Sequence, residues 1–320
     1  MSETTEVRGY CDERFEAVRQ AFAKNFDEGL EVGASFAATI DGEYVVDIWA
    51  GHADASRTRP WERDTIVNVY STTKVMTALC MLMMVDRGLL DLDAPVALYW
   101  PEFAQAGKEK LPVRYLLSHQ AGLAGIVEPT PGEALYEWDR IVNLLAAQKP
   151  LWEPGTESGY HAVTFGYLLG EVLRRITGKT LGTFFREEVA EPLRADFHIG
   201  LAAEHDSRVA ELIPPTSLLS EDLVLDPESA LGKAMANAPR LPECTRDRAW
   251  RAAEIPASNG HGNARSVARV GSVLACGGEV EGIRLLGSET VEQAIEEQHY
   301  GRDLVLGVPI RWGLGFGLTS

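Results

Sequence analysis

The chain has 320 residues, 45% hydrophobic and 24% charged, enough for a globular protein to bury a large core without disulfide or metal staples. Its formal net charge of −17 excludes the electrostatics that hold proteins on nucleic acid, where Lys and Arg neutralise phosphates, and disfavours anionic membrane surfaces. Cys11, Cys80, Cys244 and Cys276 are far apart and form no C-x-x-C pair, which suggests neither a zinc site nor a disulfide framework. The N-terminus lacks a basic run followed by an apolar one, and no apolar stretch is long enough to span a bilayer. These features predict a soluble, cytoplasmic protein; they leave its oligomeric state open.

In chain order, residues 12–28 have helical periodicity, with Phe15, Val18, Ala21 and Phe22 on one face. VGASFAATI and EYVVDIWAG, joined by Asp41-Gly42, predict a β-hairpin. After a polar loop over 51–64, Ser71 opens STTKVMTALCMLMMVDRGLL, an apolar helix that Gly88 stops. Cys80 and Met76, Met81, Met83 and Met84 read as its core. LPVRYLLSHQAGL predicts a short helix ending in a turn at Gly122. TFGYLLGEVLRRITG predicts a longer one, with Arg174 and Arg175 in the last turn and Gly178 at the stop. Residues 202–258 read as loops with helical pieces. Asn263 caps a helix over ARSVARVGSVLACGG. A short helix follows near 288–297, and RWGLGFGL reads as a strand. The pattern predicts an α+β fold: one antiparallel sheet from residues 1–65 and 255–320, with a mainly helical region, 66–254, inserted.

Ser71-Thr72-Thr73-Lys74 is an S-x-x-K arrangement, which puts both functional side chains on one helix face. A serine hydroxyl needs a base to become a nucleophile, and a lysine can serve where burial or neighbours lower its pKa. The helix N-terminus favours developing oxyanion charge, with the Ser71 N–H as one donor. A capping serine meets the same spacing. The third position after a cap, however, prefers Glu or Gln, and a lysine there opposes the helix dipole. Such local misfits cluster at functional sites. The chain has no G-x-S-x-G elbow, so an α/β-hydrolase is unsupported.

The run VNVYSTTKVMTALCMLMMVDRGLLDLDAPVALYWPEF resembles the nucleophile helix of serine β-lactamase-like proteins. RYLLSHQAGL resembles their LLSHTSGL segment, and PGTESGYHAVTFGYLLGEVLRRITGKTLGTFF their second catalytic block. SNGHGNARSVARVGSVLACGGE and RWGLGFGL extend the likeness in the right order. The nearest likeness is to family VIII carboxylesterases, which are related to class C β-lactamases. The resemblance implies a β-lactamase/transpeptidase-like fold and hydrolysis of a small-molecule ester through an acyl-serine intermediate, without cofactor or metal. It implies Ser71 as nucleophile, and Lys74 with Tyr160, in Tyr160-His161-Ala162, as the proton-transfer pair. A phenol beside an ammonium is expected to be drawn below its usual range. Without the family register, Tyr160 reads better as a buried tyrosine with a satisfied hydroxyl; in register with Ser71 the catalytic reading is preferred.

Ala162 stands where class C enzymes carry an asparagine and cannot make its hydrogen bond, which tilts the expectation from lactams to esters. The alternatives on this scaffold are a β-lactamase, a D-amino-acid peptidase or an acyltransferase. His119 is expected to tie a turn and His161 to line the cleft. Trp312, with Phe316, would border an acyl pocket, although alternate strand residues are as often core. The family's third box, K-T-G or H-G-G on a strand after RWGLGFGL, is not seen; His261-Gly262-Asn263 lies upstream of a helix and does not replace it. That box supplies a second oxyanion N–H, a kind of donor worth about 3 kcal/mol. The strands after it would also cover the edges of 32–50 and 311–318. Two expectations follow: the chain is part of a longer product, or it is a truncated homologue impaired in catalysis. The first is preferred, because the chain stops inside a motif.

Overall fold

The computed structural model describes residues 5–214, 226–239 and 243–319. Arg8–Cys11 (β1), Gly33–Ile40 (β2) and Glu43–Gly51 (β3) form an antiparallel sheet in the order β1-β3-β2. Asp41 and Gly42 sit at φ 52° and 82°, the left-handed pair that a two-residue hairpin turn requires. Val46 and Ile48 of β3 are fully buried, with the partly buried Phe15 and Phe22 packed against them, the latter on helix α1 (Glu16–Asp27). Asp47, between them in sequence, takes a bidentate pair from Arg265, at 2.6 Å from Nε and 2.9 Å from Nη2. Arg265 lies on the helix Ala264–Ala275, which packs along β2; Thr39 Oγ1 and Ser272 Oγ meet at 2.8 Å. Asn263 and Ser266 cap that helix reciprocally.

Helix α2 (Thr73–Asp86) is not amphipathic. Met76 and every residue from Ala78 to Met84 are inaccessible to solvent, so α2 is the axis of the core rather than a surface element. It is flanked by the helices Thr164–Thr177, Leu181–Phe185 and Ser288–Ala294. The first of these ends at Gly178, at φ 71°, whose N–H returns to Arg174 O. Among the described residues no helix is long and apolar enough to cross a membrane.

Three further small antiparallel sheets are present among the described residues. Val67–Asn68 (β4), Phe197–His198 (β5) and His261–Gly262 (β6) pair in the order β4-β6-β5 and carry the chain into α2. Glu279–Val280 (β7) pairs with Ile283–Arg284 (β8). His299–Arg302 (β9), Pro309–Trp312 (β10) and Gly317–Leu318 (β11) pair in the order β11-β10-β9.

Two expectations are corrected here. RWGLGFGL is not one strand but the turn between β10 and β11 with its flanks. Among the described residues the strands near the two chain ends also lie in separate sheets, β1-β3-β2 and β11-β10-β9. Both sides of β10 are taken by β9 and β11, and the turn is anchored in the helical body instead. Leu314 N donates to Ala294 O at 2.9 Å and Gly315 N to Leu117 O at 3.0 Å. A Cβ on Gly315, at φ 90°, would lie 2.4 Å from that of Ala78, so only glycine fits against α2.

Of the loops expected over 202–258, residues 215–225 and 240–242 lie outside the described residues. The rest includes the short helices Ala230–Met235 and Arg248–Ala252. Among the described residues β2 has β3 as its single strand neighbour. Its outer edge borders a cavity of about 1000 Å³, which reaches Val69 and Thr72 beside Ser71.

Candidate active site

Ser71 lies in a single 3-10 turn, Tyr70–Thr72, immediately before α2. Tyr70 holds φ 45°, a left-handed conformation that costs an aromatic residue on the order of 1 kcal/mol or more. Thr73 Oγ1 pins the turn, donating to Tyr70 O at 2.6 Å and accepting from Gly260 N at 2.8 Å. Val69 N donates to Gly260 O at 2.9 Å. A Cβ on Gly260 would stand 2.5 Å from Thr73 Oγ1, so a larger residue would separate the strand end from the turn. The start of α2 has no side-chain cap. The serine is therefore free of the capping role that its position also allowed. Its side chain is exposed, and its Oγ accepts from Lys74 Nζ at 3.3 Å.

Lys74 is buried. Its ammonium also donates to Ala162 O at 2.6 Å and Ala257 O at 3.0 Å. The nitrogen lies 4.6 Å from the Tyr160 ring centroid and 5.9 Å from that of Phe165. No carboxylate is among its bonded partners in the described residues. Burial pushes its pKa down to about 7, so its neutral form is populated at neutral pH. Ala162 contributes its carbonyl to this cradle.

Tyr160 faces the same serine, but its phenol is not drawn down by the ammonium as expected. Burial raises its pKa, a hydrogen bond with Ser71 works in the opposite direction, and the charge of Asp303 raises it further.

The tyrosine's loop is fastened on several sides. Gly159 N donates to His119 O at 3.0 Å, His161 N to His119 Nδ1 at 3.1 Å, and Tyr160 N to Asp303 Oδ1 at 3.0 Å. The ring stacks on Trp312 at 6.0 Å and 6°, and His119 packs against both rings. His119 thus ties the turn, as expected, from a left-handed φ of 62°. His161 does not line a cleft. It is fully buried, its Nδ1 donates to Gly159 O at 2.7 Å, and its Nε2 accepts from Leu123 N at 3.1 Å. Burial brings its pKa down to about 4, which leaves a neutral spacer with both nitrogens spent. Trp312 is only 6% exposed and backs Tyr160 as a wall. Phe316 packs on the helical core.

Asp303 escaped the sequence reading. Its one local signal is that of an aspartate heading a turn, since Oδ1 also accepts from the N–H groups of Val305 and Leu306.

Comparison with known proteins gives concordant findings. The beta-lactamase family model matches residues 22–320. The chain is 38% identical over 322 residues to the esterase/beta-lactamase LipL of Mycobacterium tuberculosis, covering 97% of this chain and 74% of that protein. Among solved structures, a family VIII carboxylesterase superposes with a TM-score of 0.93 at 48% identity, over 98% of this chain and 84% of that one. A penicillin-binding protein homologue from Caulobacter crescentus superposes with a TM-score of 0.91 at 43% identity, over 98% and 83%.

Proposed function

The chain belongs to the beta-lactamase family, and on that footing we propose that it is a serine carboxylesterase acting through an acyl-serine intermediate on Ser71. The observation that carries this reading is the cradle of Lys74, which turns one N–H onto the Ser71 hydroxyl while burial leaves part of the amine unprotonated. Neutral Lys74 accepts the Ser71 proton, directly or through the Tyr160 hydroxyl, as Oγ bonds to the ester carbonyl carbon. The carbonyl π electrons move to oxygen, where the Ser71 N–H is one donor to the oxyanion. Collapse of the tetrahedral adduct expels the alcohol, which takes its proton from the same pair. Water, deprotonated by that pair, then releases the acid and restores the serine. Tyr160, its pKa raised, acts as a neutral relay that gives one proton as it takes another.

Ala162 has no side-chain amide to grip a substrate amide, which supports esters over lactams. The names of the similar proteins, a carboxylesterase and an esterase/beta-lactamase, support the same class. A fluorophosphonate probe tests the nucleophile: mass increase on the peptide carrying Ser71 is expected, and an unlabelled Ser71 in folded protein would sink the proposal. Short-chain aryl esters are expected to be turned over far faster than a chromogenic cephalosporin; the reverse preference would assign the chain to lactams.

A further inference from the structure

We propose that Asp303 is the positioning residue of the site, holding the Tyr160 hydroxyl against Ser71 by its backbone and its ring face at once; this rests on the role proposed for Tyr160. Asp303 is fully buried, a costly place for a carboxylate unless every lone pair finds a donor. Oδ1 accepts from Tyr160 N at 3.0 Å, Val305 N at 3.0 Å and Leu306 N at 2.9 Å. Oδ2 accepts from Trp312 Nε1 at 3.3 Å. The two local amides are all that a turn would ask for. The other two donors come from elsewhere: one is the main chain of Tyr160, and the other is the indole stacked parallel to its ring. A second tie joins the same loops, from Leu304 N to Ser158 O at 2.8 Å. A single carboxylate therefore fixes where the tyrosine's backbone sits and what its ring lies against. A charged residue suits the task because each oxygen must accept, and none of the four partners can.

An asparagine cannot satisfy the same set. If its oxygen keeps the three amides, its NH₂ faces the indole N–H, and donor opposes donor. Asp303→Asn is expected to lower kcat for an aryl acetate by roughly 10- to 100-fold, the scale of an ångström-sized misplacement, with KM within about threefold. If Asp303 acts through Tyr160, the same substitution in a Tyr160→Phe background costs less than about threefold, because coupled residues are non-additive. Equal losses in the two backgrounds, or an unchanged kcat in Asp303→Asn, would overturn the proposal. If Asp303→Asn does not fold, Trp312→Phe is run through the same cycle. A several-fold kcat loss present only with Tyr160 intact is expected, and no loss or an additive one overturns it. Fluorophosphonate labelling of the wild type keeps the two readings apart. An unlabelled Ser71 refutes the nucleophile, whereas a labelled Ser71 with an additive cycle refutes Asp303 alone.

Discussion

Lys108 and Lys74 are both buried and both bonded to backbone carbonyls. Lys108 donates to Gln105 O at 3.0 Å, Ala146 O at 2.9 Å and Gln148 O at 2.6 Å, closing the end of the helix Trp138–Ala147. Burial brings its pKa down to about 8. Lys74, brought down to about 7 by the same cause, gives two bonds to carbonyls and the third to a hydroxyl. The two amines thus differ little in acidity and in most of their partners; what separates them is one N–H, which in Lys74 meets the Ser71 hydroxyl. A lowered pKa supplies a proton acceptor; whether it is a base depends on the partner of the third N–H.

The strongest way to break this comparison is to remove each amine. Lys74→Ala is expected to lower kcat/KM for an aryl ester by about 10²- to 10⁴-fold, and Lys108→Met to leave it within about threefold, both by steady-state kinetics on folded protein. A large loss in Lys108→Met would show that the second lysine is not merely structural. Next in size is Tyr160→Phe, expected to cost about 10²-fold as a lost proton relay; stopped-flow resolution should find acylation and deacylation both slowed.

The pH profile sharpens the contrast. If neutral Lys74 is the base, kcat/KM rises with pH through about 7, and this limb is untouched in Lys108→Met. A flat profile from pH 5.5 to 8.5 would contradict the assignment. The smallest effects are on stability. Both folded pKa values lie below the ordinary 10.5, so between each folded value and 10.5 the unfolded chain binds more protons. These amines therefore weaken the fold at full strength below pH 7 to 8, and stability is regained as pH rises toward 10.5. Lys108→Met nonetheless takes away the amine that the carbonyls of Ala146 and Gln148 share and is expected to cost about 1–3 kcal/mol, read as a lower Tm at pH 7.

What the sequence disclosed follows the range of the interactions. The hairpin at Asp41-Gly42, the stop at Gly178 and the cap at Asn263 are local and were legible. Ser71 and Lys74 were legible from their spacing and from the ordered blocks around them. Asp303 was not, because the donor that gives it meaning, Tyr160 N, is 143 residues away. His161 was misjudged from its neighbour: adjacency to Tyr160 says nothing about where the ring points, and Leu123 and Gly159 hold it inside. The separation of β1-β3-β2 from β11-β10-β9 among the described residues was not legible either, since the docking of the β10–β11 turn on α2 is a long-range contact.

The cradle of Lys74 joins three stretches of chain. Its two carbonyl partners lie 88 and 183 residues beyond it, and neither is near it until the polypeptide has closed. In an unfolded or half-made chain the same amine is an ordinary solvated lysine, protonated at neutral pH, and Ser71 is an ordinary alcohol. On the mechanism proposed for Ser71, reactivity would be a late product of folding. A local opening at residue 162 or 257 would disarm the serine while most of the protein stayed native, so loss of hydrolysis should precede loss of helix signal on heating.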